Sequence, residues 1–236
     1  MRTPQALLRL SALCALLMGL LSACTEMPQS HPEARILGMG DSMMAWNSGS
    51  GQSVAHQLER LLGEPVVDRS VTAARMHYIL PVSGSLGMKI PSQYAAGNWD
   101  WVVMNGGGND LLFGCGCGAC DGTLDKLIAK DGRSGTIPAI VAKARANGAQ
   151  VAYVGYMRTP GRGSIIDGCR AAGDELEARL AKMAALDKGT HFVSLKGMVP
   201  SGDLSFHAGD RVHPSPKGSQ AIAARIAAVV RAHSAQ

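Results

Sequence analysis

The sequence predicts an α/β domain in three layers, a five-stranded parallel sheet with helices on both faces. Three observations lead there. Strand-like and helix-like stretches alternate from residue 35 to the end of the chain. The strand-like stretches are short continuous apolar runs, as expected of strands buried on both faces in a parallel sheet. Chemically unusual residues gather just after those runs, where an open parallel sheet binds its ligands. A chain of 236 residues, 46% of them hydrophobic, can build one substantial core.

The first strand is Arg35-Ile36-Leu37-Gly38-Met39. It breaks at Gly40, delivers Asp41 and Ser42 at the break, and resumes as a helical turn at Met43-Met44-Ala45. Residues 54–62 carry apolar side chains at Val54, Leu58, Leu61 and Leu62, the spacing of an amphipathic helix, and Gly63 ends it. Pro65-Val66-Val67-Asp68 is the second strand, residues 100–105 the third, and Gly106-Gly107-Gly108-Asn109-Asp110 follows as a loop. A helix is expected over 138–147 with Pro138 as its first residue and Gly148 past its end. Residues 150–156 form the fourth strand, 174–186 a helix and 191–195 the fifth strand. The last helix begins after Ser215 with Pro216 and runs to about His233. No internal repeat or low-complexity tract is present, and the Gly and Ser residues near 48–51 and 161–164 read as loops.

The first 23 residues stand apart. Arg2 and Arg9 precede an apolar run over 10–21 that closes as Leu21-Ser22-Ala23-Cys24, which predicts a secretory signal too short to span a bilayer comfortably. That ending resembles a bacterial lipobox, which implies that Cys24 is lipidated and becomes the mature N-terminus. Thr25, rather than aspartate, after the cysteine implies outer-membrane anchoring with the domain facing the periplasm. An ordinary signal with a chance cysteine is the alternative. Residues 24–34 are polar and contain Pro28 and Pro32, so they read as a tether, and 35–236 as the domain. Loss of Arg2 and Arg9 lowers the formal charge from +5 to +3. So mild an excess, without a Lys/Arg block or interleaved aromatics, gives no case for nucleic acid.

Beyond Cys14 and Cys24 remain Cys115, Cys117, Cys120 and Cys169, an even number that favours two disulfides in an exported chain. Neighbours as near as Cys115 and Cys117 pair poorly, so Cys169 is expected to join one member of the cluster while the other two pair locally. A zinc site is the alternative, though the spacing lacks the two Cys-x-x-Cys knuckles of a zinc ribbon.

Four segments fall at the sheet's expected carboxyl edge: Ser42 after the first strand, Ser70-Val71-Thr72-Ala73 after the second, Gly107-Gly108-Asn109-Asp110 after the third, and Asp210-Arg211-Val212-His213 before the last helix. A carboxylate three residues before a histidine can reach its imidazole, fix the tautomer and support positive charge on it. Each element has a plainer reading: Asp41 or Ser42 as a helix cap, Asn109-Asp110 as a turn, Asp210 capping a local turn, His213 at the surface. His207, with Asp203 four residues before it, is a rival base. Trp46, Trp99, Trp101 and the methionines at 39, 43 and 44 read as core.

Taken in order, Gly40-Asp41-Ser42-Met43, Gly107-Gly108-Asn109-Asp110 and Asp210-Arg211-Val212-His213 resemble the blocks of the SGNH/GDSL hydrolase family, over nearly the whole expected domain. The resemblance implies a flavodoxin-like sheet, with Ser42 as nucleophile, His213 as general base and then acid, and Asp210 as the orienting carboxylate. It also implies an oxyanion hole made by the backbone N–H groups of Ser42 and Ala73 and the Asn109 amide, without metal or organic cofactor. Met43 stands where the family has leucine, a volume-conserving change. Ala73 stands where the second block usually has glycine. The function so implied is hydrolysis of acyl or acetyl esters through an acyl-enzyme, on a small-molecule, polysaccharide or lipid ester. Acyl transfer to a sugar hydroxyl at the same site, or a noncatalytic binding lipoprotein, are the alternatives.

Overall fold

The computed structural model describes residues 33–78, 84–161 and 163–234. The expected signal, Cys24 and the tether up to residue 32 lie outside the described residues. Strands β1 (Ile36–Met39), β2 (Val66–Asp68), β3 (Trp101–Met104), β4 (Gln150–Val154) and β5 (Thr190–Val193) form one parallel sheet in the order β2-β1-β3-β4-β5. From β1 the chain steps outward to β2 and then returns to the other side of β1 as β3. The order therefore reverses between β1 and β3, which opens a crevice at their carboxyl ends.

The helices are α1 (Ser42–Ala45), α2 (Val54–Leu62), α3 (Ile90–Gln93), α4 (Gly108–Cys115), α5 (Asp121–Leu127), α6 (Thr136–Ala146), α7 (Arg170–Ala185) and α8 (Pro216–His233). Successive strand side chains point to opposite faces, and this alternation builds two cores. Leu37, Met39, Val102, Met104, Val151 and Tyr153 pack with apolar residues of α4 to α7. Ile36, Trp101, Val103, Ala152 and Val154 pack with Val54 and Leu58 of α2 and with Ile222, Ile226 and Val230 of α8. Each such aliphatic side chain contributes about 1.5–3 kcal/mol by leaving water. Among the described residues no helix is long and apolar enough to cross a membrane.

Helix α2 ends at Gly63, whose φ of 75° is the left-handed conformation of a helix stop. Ser215 caps α8, its hydroxyl accepting from the Gly218 N–H at 3.1 Å. Other boundaries moved. Helix α6 begins at Thr136, so Pro138 sits third, still within the first turn where a missing N–H loses no intrahelical bond. Helix α7 begins at Arg170, four residues earlier than its apolar spacing suggests, α4 starts within the glycine stretch that reads as loop, and α5 lies in a stretch to which the sequence assigns no element.

Disulfides knit these less regular parts. Cys115–Cys120 closes the turn between α4 and α5, and Cys117–Cys169 joins that turn to the residue preceding α7, with Cα separations of 5.3 and 4.6 Å. All four cysteines are thus consumed, which sets aside the zinc reading, and the pairing takes the expected form of one local bridge and one to Cys169.

The end of β1 is fixed from outside the sheet. The buried Gln93 side chain accepts from the Gly40 N–H at 2.6 Å and donates to the Gly40 carbonyl at 2.9 Å. Gly40 has φ +150°, and a Cβ there would collide with the Asn105 side-chain oxygen, itself bonded to the Asp41 N–H at 3.0 Å. Strain and the displaced buried amide together should cost the Gly40→Ala variant about 3 kcal/mol or more in urea unfolding. A loss below about 0.5 kcal/mol, typical of an unconstrained surface position, would contradict this description of the β1 exit.

Candidate active site

Ser42 is the first residue of α1, and Asp41 caps it by accepting from the Met43 N–H at 2.9 Å. The Ser42 backbone N–H, in the first turn, has no acceptor within the helix. Its hydroxyl lies 2.9 Å from Nε2 of His213, 171 residues later in the chain. Nδ1 of His213 lies 2.6 Å from Asp210 Oδ2, while Asp210 Oδ1 accepts from the backbone N–H groups of Val212 and His213 at 2.9 and 3.0 Å. With Nδ1 donating to a carboxylate, Nε2 is left to accept from the serine hydroxyl. Burial acts to raise the Asp210 pKa. Hydrogen bonds from the His213 ring and from the His213 and Val212 N–H groups outweigh it, and the carboxyl lies below its ordinary range.

The loop that carries His213 is anchored at its base. The Asn47 side-chain amide donates to the Pro214 carbonyl and to the Ser219 hydroxyl, both at 3.0 Å, and Ala208 N–H donates to the His213 carbonyl at 2.8 Å. Trp46 lies flat on the His213 ring, with centroids 3.8 Å apart and 5° between planes. Trp46 is therefore not core, as its apolar character suggested, but half-buried and stacked on the imidazole. His207, the rival base, is buried and directs Nε2 to the Arg158 carbonyl at 3.1 Å, while Asp203 caps the short turn at Leu204–Phe206. Neither is bonded to Ser42.

Asn109, second in α4, faces the same cavity as Ser42 and donates one amide hydrogen to the Ala74 carbonyl at 3.0 Å. Its second amide hydrogen remains for a ligand. Ala73 also lines the cavity and has φ +63°, at the corner of a turn closed by the Ala74 N–H on the Val71 carbonyl. That conformation costs an L-residue about 1–2 kcal/mol and explains why glycine suits the position. Asp110 holds the two segments together, since its carboxylate accepts from the Met76 and His77 N–H groups at 2.9 and 2.8 Å. Burial nevertheless raises its pKa over the opposing effect of those bonds.

Three residues at this site escaped sequence reasoning: Gln93, Asn105 and Tyr156. Asn105 follows β3, and its amide donates to Asp41 Oδ1 at 2.9 Å. Tyr156 lies just beyond β4. Its hydroxyl donates to Asp41 Oδ2 and accepts from the Gly108 N–H at 2.9 Å, so close an approach that a Cβ at Gly108 would lie 2.7 Å from the phenol ring. Burial, then the neighbouring Asp41 charge, push the Tyr156 pKa well above its usual value, which keeps the phenol a donor. Burial also raises Asp41, against the bonds from Tyr156, Asn105 and Met43. The usable signal was position: a polar residue one or two places past an apolar strand stands at the binding edge.

A cavity of about 530 Å³ opens over Ser42, His213 and Asn109. Among the described residues no group of His, Cys, Asp and Glu is arranged to hold a metal ion.

A comparison with curated proteins found no match. Solved structures share the fold. A GDSL-like lipase from Bacteroides thetaiotaomicron VPI-5482 has a TM-score of 0.57 and 19% identity, over 91% of this chain and 95% of that one. The psychrotrophic esterase EstA from Pseudoalteromonas sp. has 0.57 and 15%, over 85% and 98%. A family two carbohydrate esterase from Clostridium thermocellum, solved with cellohexaose, has 0.54 and 21%, over 85% and 64%. The profile of the GDSL-like lipase/acylhydrolase family matches residues 39–221, more than half of the sequence, and the chain belongs to that family of carboxylic ester hydrolases.

Proposed function

We propose that Ser42 attacks the ester carbonyl while His213 accepts its proton, giving an acyl-enzyme that water then hydrolyses. The observation that carries this reading is the unbroken line from Asp210 through both imidazole nitrogens to the Ser42 hydroxyl. A serine hydroxyl is a weak nucleophile until a base takes its proton, and the ionised Asp210 stabilises the imidazolium so formed. His213 then returns the proton to the departing alkoxide. In the second half-reaction it takes a proton from water and returns it to Ser42 as the acid product leaves.

Negative charge developing on the carbonyl oxygen would be met by the backbone N–H groups of Ser42 and Ala73 and the free amide hydrogen of Asn109. The Ala74 carbonyl holds that amide in place beforehand, so little reorganisation is needed at the moment of reaction. None of these steps needs a metal or an organic cofactor. The two disulfides support the reading of an exported enzyme working in an oxidising compartment, and the lipobox-like Leu21-Ser22-Ala23-Cys24 is the basis for placing it at the periplasmic face of the outer membrane.

The EstA structure was solved inhibited by monoethylphosphonate, and a phosphonate is the direct probe here as well. Treated with a fluorophosphonate, the soluble domain should gain one adduct, mapped to Ser42, and lose p-nitrophenyl ester hydrolysis in parallel. Ser42→Ala should neither label nor turn over. Labelling elsewhere, or turnover surviving in Ser42→Ala, refutes the assignment, and release of acyl sugar in place of acid when sugars are added would identify transfer.

Asn109→Ala removes one prepositioned donor and should lower kcat by about 100- to 1,000-fold with KM little altered. A loss below about tenfold means that the amide does not serve the transition state.

A further inference from the structure

The cavity beside Ser42 has one wall that the reaction itself does not explain. Leu112 and Phe113 of α4 and Ile165 and Ile166 of the loop before α7 line it, and Leu176 of α7 contributes from behind. Phe113 is 62% and Ile165 81% exposed, large apolar side chains left facing water at the cavity. Of the charged side chains along the same wall, Arg158 is paired with Asp174 at 2.5 Å and Glu177 at 3.3 Å. Arg170, exposed to solvent, lies near enough to Asp167 to help hold its carboxyl below the ordinary range. Asp167 accepts from the Gly163 and Ser164 N–H groups at 2.9 and 3.1 Å.

A sugar ring placed there would strip water from its hydroxyls with few partners in return, a cost of about 1–3 kcal/mol for each one left unpaired. A hydrocarbon chain would lose nothing of that kind and would cover Phe113 and Ile165. The wall comes from two separate stretches of chain, and Cys117–Cys169 ties the turn after α4 to the end of the Ile165 loop.

We propose that this disulfide-tied wall is the binding site for an alkyl chain of the ester substrate, so that the enzyme favours esters of medium-length hydrocarbon chains over acetyl esters of sugars, and that the Cys117–Cys169 bridge sustains this preference. The proposal rests on Ser42 as the nucleophile. The same apolar chemistry could come from the acyl side of the ester or from its alcohol side, and two substrate series separate them.

The test measures kcat/KM below micelle-forming concentrations for p-nitrophenyl esters from acetate to decanoate, and for acetates of alcohols from ethanol to decanol. It is run on wild type, Ile165→Ser, Phe113→Ser and the Cys117→Ser/Cys169→Ser double variant. In one of the series kcat/KM should rise by up to about fourfold for each methylene added until the cavity is full. The series that rises assigns the chain to the acyl or the alcohol side. Both wall variants should lower the octyl-to-acetyl ratio about tenfold, as should opening the bridge by the double variant or by reducing the folded wild type.

Flat series, acetyl esters preferred throughout, or ratios unmoved by the wall variants would overturn the alkyl site. Ratios that drop in the wall variants but hold when the bridge is opened would overturn the role of the bridge. Absence of turnover on every ester, with Ser42→Ala indistinguishable from wild type, would instead overturn the nucleophile on which the proposal rests.

Discussion

A single buried carboxylate, that of Asp41, holds together the ends of three adjacent strands. Asp41 itself follows β1, Asn105 follows β3 and Tyr156 lies just beyond β4, and both donate to it. Removing so polar a group from water is expensive, and donors from Met43, Asn105 and Tyr156 offset part of that expense, burial still holding the carboxyl above its ordinary range. The same set of bonds fixes relative positions. The Met43 N–H bond starts α1 at Ser42, and Tyr156 passes the constraint on to the Gly108 N–H at the start of α4, next to Asn109. The candidate nucleophile and the candidate oxyanion donor thus stand on opposite sides of the strand-order reversal, referred to one common anchor.

The third component arrives from the far end of the chain by different means. The His213 loop contributes no strand to the sheet. Its base is tied to the residue after Trp46 through Asn47, and its imidazole is gripped at the edge by Asp210 and covered on one face by Trp46. Holding the ring from three directions leaves Nε2 directed at Ser42. Asp210, partly open to solvent, stays ionised because its bonds to His213 and Val212 outweigh its burial.

Much of this was legible in the chain because it is local. Five apolar runs gave the five strands, and Gly63, Ser215 and Pro216 marked helix ends within a few residues. Asp210 reaches His213 across three residues, a spacing that needs no knowledge of the fold. What was not legible depends on which strand lies beside which. Asn105 and Tyr156 acquire their role only when β3 and β4 are laid next to β1, and Gln93 only when a short helix returns to the β1 exit. Helix α4 was hidden by the glycines at 106–108, which read as loop, although Gly108 is needed where Tyr156 packs against the backbone and Gly106 where Met76 and Ile90 do. The first turn of α7 was hidden by Gly168 and Gly173, and tertiary ties at Cys169 and Asp174 compensate for their weak helical preference. Trp46 was misread because an aromatic residue in an apolar stretch gives no sign that it will face an imidazole.

The central claim is that an ester's acyl group passes through covalent attachment to one hydroxyl. Acid-quenching the enzyme within the first turnovers of a slowly deacylated ester, followed by peptide mass spectrometry, observes that species itself. One acyl group per chain, on the peptide containing Ser42 and absent when His213 is replaced by alanine, is the expected result. Rapid ester hydrolysis with no acyl group on Ser42 at any quench time would contradict it.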